Sequence, residues 1–137
     1  HFRPARTTRD WLTKDERIVD AYLADERCTF LFTLNGYYNL FHSIEETSKP
    51  ENLQKMPMDL PVLFVSGAED PVGNFGKGVE QVRKAFQAVG MEDVTWILYE
   101  NDRHEILNET DRATVYKDLY AWLYVRMNDP RRKTGGK

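Results

Sequence analysis

One cysteine, Cys28, is too few for an intramolecular disulfide and leaves no thiolate cluster for a metal. Its surroundings, Cys28-Thr-Phe-Leu-Phe32, suggest a small buried apolar residue. No apolar run approaches the length needed to span a bilayer. No signal peptide is visible, but a chain that opens on His1 instead of Met gives that absence little weight. The compartment expected by default is the cytoplasm. Charge of one sign is also lacking. Lys and Arg number 19 against 22 Asp and Glu, and both signs are mixed throughout, which argues against broad nucleic-acid binding. The basic cluster Arg131-Arg-Lys133 lies near the end, Gly135-Gly-Lys137, and residues 129–137 read as a frayed, flexible tail. No repeat or low-complexity segment occurs. No Gly-x-Ser-x-Gly, P-loop, dinucleotide fingerprint or zincin motif is present, so neither metal nor cofactor is expected.

What is there suits a folded α/β chain. Hydrophobic residues make up 41% and aromatics 12%, enough to fill a core. The organising stretch is Leu60-Pro-Val-Leu-Phe-Val-Ser-Gly-Ala-Glu-Asp-Pro-Val-Gly73. Val62 to Val65 is too short for a core helix and suits a strand covered on both faces. Gly67 breaks it, and Pro71 biases Asp70 away from helical geometry. A second strand, Val94-Thr-Trp-Ile-Leu-Tyr-Glu100, runs into the loop Asn101-Asp-Arg-His-Glu105. Between them a helix from about Val79 to Val89 carries Val79, Val82, Phe86 and Val89 on one stripe, with Gly90 placed for a left-handed stop. A last helix, capped by Asn108 or Thr110, carries Val115, Leu119, Trp122 and Leu123. This βαβα order implies parallel strands.

The first 60 residues differ in character. Thr13-Lys-Asp-Glu16 is a capping-box pattern opening a helix that ends near Ala24. Thr29 to Thr33 suits a short strand or an extended connector. Gly36 to Glu46 reads as a helix bearing Tyr37, Leu40, Phe41 and Ile44, and Glu51 to Lys55 as one helical turn. The expected layout is a helical segment over 1–58, a βαβα core over 59–128 and the tail. Two firm strands are few for a parallel sheet, so the chain is expected to be part of a larger α/β domain or to be completed by another chain.

Asp70 and His104 lie 34 positions apart, one strand–helix–strand step, which can place both at the same end of a parallel sheet. An aspartate accepting from an imidazole fixes its tautomer and stabilises the imidazolium of acyl transfer. The competing reading is a capping aspartate and a surface histidine. Ser66 is not a nucleophile by pattern, because Phe64 and Ala68 stand where an elbow needs glycines. Gly73-Asn-Phe-Gly-Lys-Gly78 reads as a turn along the site rim, and His42 as packing or surface. Tyr37, Tyr38, Phe41, Phe30 and Phe32 either line an acyl pocket or pack a core, with the core as the default.

The 60–73 stretch, Gly90-Met-Glu-Asp-Val94, and Tyr99-Glu-Asn-Asp-Arg-His-Glu-Ile-Leu-Asn-Glu109 resemble the C-terminal half of α/β-hydrolases. The type is the serine aminopeptidase, lysophospholipase and monoacylglycerol-lipase-like group. Arg6 to Leu53, including Asp10-Trp-Leu-Thr-Lys-Asp-Glu16, is similar to the cap segment of bacterial members. The resemblance implies Asp70 as triad acid and His104 as triad base. It implies Val72 and Phe75 along a pocket for a small acyl or lipid-like ester, to which Tyr37 and Phe41 of the aromatic set are added as candidate substrate contacts. It places the serine and oxyanion loop before His1. The implied activity is that of a carboxylesterase or lysophospholipase, with the isolated chain inactive. The alternative is a non-catalytic α/β interaction module that pairs with another chain.

Overall fold

The computed structural model describes residue 2 and residues 4–130; the basic cluster and most of the expected tail, 131–137, lie outside them. Strands β1 (Val62–Gly67) and β2 (Val94–Tyr99) form a two-stranded parallel sheet, paired in register from Val62 opposite Val94 to Gly67 opposite Tyr99. Helix α4 (Lys77–Ala88) makes the crossover, and α5 (Arg112–Met127) follows β2. Side chains alternate across a strand. Phe64 therefore meets Phe86 of α4 edge-to-face at 5.0 Å, while its neighbour Val65 turns to the other side. There Val65, Ile97 and Leu119 pack on Tyr99, Ile106 and the fully buried Val115 of α5. The two helices thus cover opposite faces.

Strand residues Val62 to Val65 are half-buried, not buried as the apolar run suggests. A two-stranded sheet leaves each strand one unpaired edge, which accounts for the difference. Helix α4 starts two residues earlier than its apolar stripe indicates, behind a turn in which Asn74, Phe75 and Gly76 have φ of 51°, 55° and 81°. Gly90 takes φ 103° after α4, as a left-handed stop requires. Arg126 near the end of α5 holds Asp93 at 2.6 and 3.1 Å and lies over the Trp122 ring, so it ties α5 to the start of β2.

The N-terminal part contains α1 (Glu16–Ala24), α2 (Leu34–Ser48) and a single turn, α3 (Pro50–Leu53). The α1 cap is Asp15, whose side chain accepts from Arg17 N, and not Thr13. The Thr13 hydroxyl accepts from Asp15 N at 3.1 Å, one position before the helix, and donates to Asn108 O at 3.1 Å. Residues 29–33 form no strand but a connector after a 3-10 turn, Glu26–Cys28, and Cys28 is half-buried instead of buried. The aromatic residues of α2 and the connector do not build a core. Phe30, Phe32, Tyr38 and Phe41 are each more than half exposed. They pack on one another, Phe30 on Phe32 at 5.3 Å and Phe32 on Tyr37 at 5.4 Å. The last helix is preceded by a 3-10 turn, Ile106–Asn108, and has Asp111 at its N-cap position without a side-chain cap bond, in place of Asn108 or Thr110. No described helix is long and apolar enough to cross a membrane.

Candidate active site

Because β1 and β2 run in register, the loops leaving them emerge side by side. Asp70 follows the end of β1 by three residues and His104 follows the end of β2 by five. His104 Nδ1 lies 3.1 Å from Asp70 Oδ2. The side chain of Asp70 is 10% exposed and that of His104 is 38% exposed, so the acid is shielded while the base remains reachable. With Nδ1–H donating to the carboxylate, the neutral ring carries its lone pair on Nε2, the nitrogen free to take a proton.

Asp70 is fixed by its own turn. Its Oδ1 accepts from Val72 N at 2.8 Å, its N–H reaches Gly67 O, and its carbonyl accepts from Phe75 N at 2.8 Å. The turn is closed by Gly78 N donating to Gly73 O at 3.0 Å. The glycine-rich stretch therefore acts as a tight turn beside the acid. Gly67 matters for a different reason. A Cβ there would stand 2.2 Å from Asp102 O and 2.3 Å from Arg103 O, so only glycine lets the His104 loop approach the end of β1. Ser66 is buried at the strand end and donates to Gly67 O, in keeping with its exclusion as a nucleophile.

Trp11, from before α1, packs its ring 5.1 Å from the His104 ring at 52°. Sequence reasoning missed it; Asp10-Trp-Leu-Thr-Lys14 gives no sign of the loop it contacts. Two cavities lie near the site, and the base lines one of them. One of about 380 Å³ is lined by His104, Val65, Ile106, Leu107 and Leu119. The other, of about 300 Å³, lies between Trp11 and Pro71, with Phe2, Ala5 and Thr8. Val72, Phe75, Tyr37 and Phe41 line neither cavity. Val72 is exposed just beyond the acid, Phe75 sits in its turn, and Tyr37 and Phe41 stack on each other at 6.3 Å on α2. His42 is exposed and stacks on Tyr38 at 5.8 Å.

Below the base, Asp102 is 2% exposed, and its Oδ2 has no hydrogen-bond partner among the described residues. Burial, followed by the nearby carboxylates of Asp111 and Glu109, pushes its pKa up to about 7. Tyr99, at the end of β2, donates to Asp118 at 3.3 Å; burial, followed by Asp118, pushes its phenol up to about 12. No group of three or more metal-ligating side chains occurs among the described residues.

A family model described as serine aminopeptidase, S33, matches residues 2–111. Among solved structures, a highly thermostable carboxyl esterase from Bacillus coagulans, determined in complex with glycerol, superposes with a TM-score of 0.79 at 27% identity. The match covers 88% of this chain and 40% of that one, so the chain spans less than half the length of the esterase. No curated protein matches it. Parallel strands with flanking helices, the family match over most of the chain and the esterase likeness agree: the chain belongs to the S33 serine aminopeptidase family of α/β-hydrolases.

Proposed function

We propose that this chain supplies the acid and base of a Ser-Asp-His triad in a serine hydrolase of the carboxylesterase or lysophospholipase type. The nucleophile and the oxyanion donors would come from sequence before His1 or from another chain, since no Gly-x-Ser-x-Gly occurs in these residues. The observation that carries the reading is the 3.1 Å contact between a shielded Asp70 and a reachable His104 at one end of a parallel sheet. His104 Nε2 takes the serine proton as the oxygen attacks the ester carbonyl. It then returns a proton to the departing alcohol, and water repeats the sequence on the acyl-enzyme. Asp70 keeps Nδ1 protonated and offsets the positive charge that develops on the ring. The mostly apolar cavity lined by His104, with the second between Trp11 and Pro71, suits a small acyl or lipid-like ester.

In the full-length protein, His104→Ala should lower turnover of a short-chain p-nitrophenyl ester at least about a thousandfold. Near-normal turnover would sink the assignment. A second reading, an interaction module completed by another chain, is favoured by the exposed run Phe30 to Leu34 and by sheet edges left unpaired among the described residues. It predicts a stable complex with a binding partner and no esterase activity to lose.

A further inference from the structure

A buried glutamate lies five positions after the base, and the triad chemistry makes no use of it. Glu109 is 0% exposed. Its Oε1 accepts from Arg103 N at 2.9 Å, the residue immediately before the base. Its Oε2 accepts from Lys14 N at 3.0 Å and from Thr110 N at 3.3 Å. One carboxylate therefore joins two segments that lie 95 positions apart.

The junction continues along both segments. Glu105 N donates to Leu12 O at 2.7 Å, and His104 N to Trp11 O at 3.4 Å. The Arg103 guanidinium donates to the carbonyls of Asp10 and Thr13, and the Thr13 hydroxyl to Asn108 O. The result is a short ladder with His104 on one rail and Trp11 on the other. The Trp11 ring stands against the imidazole face because the rails are in register.

We propose that Glu109 is a positioning residue for the base: by joining Arg103 N to Lys14 N, it seats His104 between Trp11 and Asp70. This rests on the triad reading above for its catalytic consequence, but not for its geometry. The chemistry of the side chain makes the claim specific. An amide in place of the carboxylate has one accepting oxygen, so either Arg103 N or the Lys14 and Thr110 pair must face an NH₂ group. A buried N–H left facing a donor pulls its segment away. The ring then loses its register with Asp70.

The test is Glu109→Gln in the full-length protein, with two readouts. The first is the proton spectrum of the hydrogen-bonded His104 Nδ1–H, assigned by its loss in Asp70→Asn. The second is steady-state ester hydrolysis. A folded Glu109→Gln should broaden or lose the Nδ1–H signal, and lower kcat about 10- to 100-fold. KM should stay within about twofold, because the damage is to orientation and not to substrate binding. An unchanged Nδ1–H signal overturns the proposal even if kcat falls, since the damage would then lie elsewhere. Should Glu109→Gln fail to fold, Thr13→Val decides, since at nearly constant volume it removes the rung to Asn108 O, together with the bond accepted from Asp15 N. It should shift the same signal and lower kcat about threefold to tenfold; wild-type values for both overturn the proposal. If His104→Ala keeps its activity, the triad reading falls, and the Nδ1–H signal alone still judges Glu109.

Discussion

Two segments from the N-terminal part of the chain behave in opposite ways. Residues 10–14 are joined to the loop 103–109 by bonds that reach across 90 to 95 positions. Helix α2, fifteen residues long and rich in aromatics, satisfies its described side-chain hydrogen bonds within six positions of itself. Its large apolar residues face outward, Leu34 at 90% exposure against 2% for Leu12. The sequence presents both as one helical segment with a common character. The structure divides them: the short piece belongs to the machinery around the base, and the long one packs chiefly on the single turn α3. Proximity in sequence therefore says little about which residues the base depends on.

The sharpest way to break the contrast is to push the His104 loop off β1. Gly67→Ala places a methyl group 2.2 Å from a backbone oxygen that cannot give way cheaply. It should destabilise the full-length protein by about 3 kcal/mol or more in urea unfolding, and abolish the Nδ1–H signal of His104. An unfolding midpoint equal to wild type would mean that the loop is not held as tightly as the ladder implies.

A smaller effect tests the buried carboxylates beneath the loop. Asp102 keeps its proton to about pH 7 when folded, whereas an unfolded aspartyl loses it near 3.8. Between those values the folded state binds more protons than the unfolded one, so this group's contribution to stability falls as pH rises and levels off above about 7. Asp102→Asn removes the titration. It should match wild type near pH 4 and exceed it near pH 8, the gap opening between those values. Parallel stability curves for the two proteins from pH 4 to 8 would show that Asp102 does not titrate in this way.

The smallest expected effect lies on α2. Phe41 is 63% exposed. Phe41→Ser should change unfolding stability by less than about 0.5 kcal/mol. A loss several times larger would mean that α2 is covered in solution, and would erase the distinction from residues 10–14.

How much of this is readable beforehand depends on the range of the interactions. Asp70 and His104 can be found in the sequence because strand–loop patterns are local and a parallel crossover brings successive strand ends together. Gly90 is readable for the same reason. Glu109 is not: it looks like a surface acid after Asn108, and only the fold brings Lys14 N to it. Thr13 misleads because its hydroxyl has two possible uses. It makes both, accepting from Asp15 N nearby and donating to a carbonyl 95 positions away, while the Asp15 side chain caps the helix. Gly67 reads as a strand breaker, whereas its small size serves a neighbour's backbone. The aromatics of α2 read as core because composition reports apolar content and not what stands opposite it.

The ladder also has a consequence for the order of events during folding. His104 meets Asp70 across 34 positions but is joined to residue 14 through a closure of 95. Closing the longer loop costs about 1 kcal/mol more in chain entropy, so the acid–base pair can come together before its outer brace.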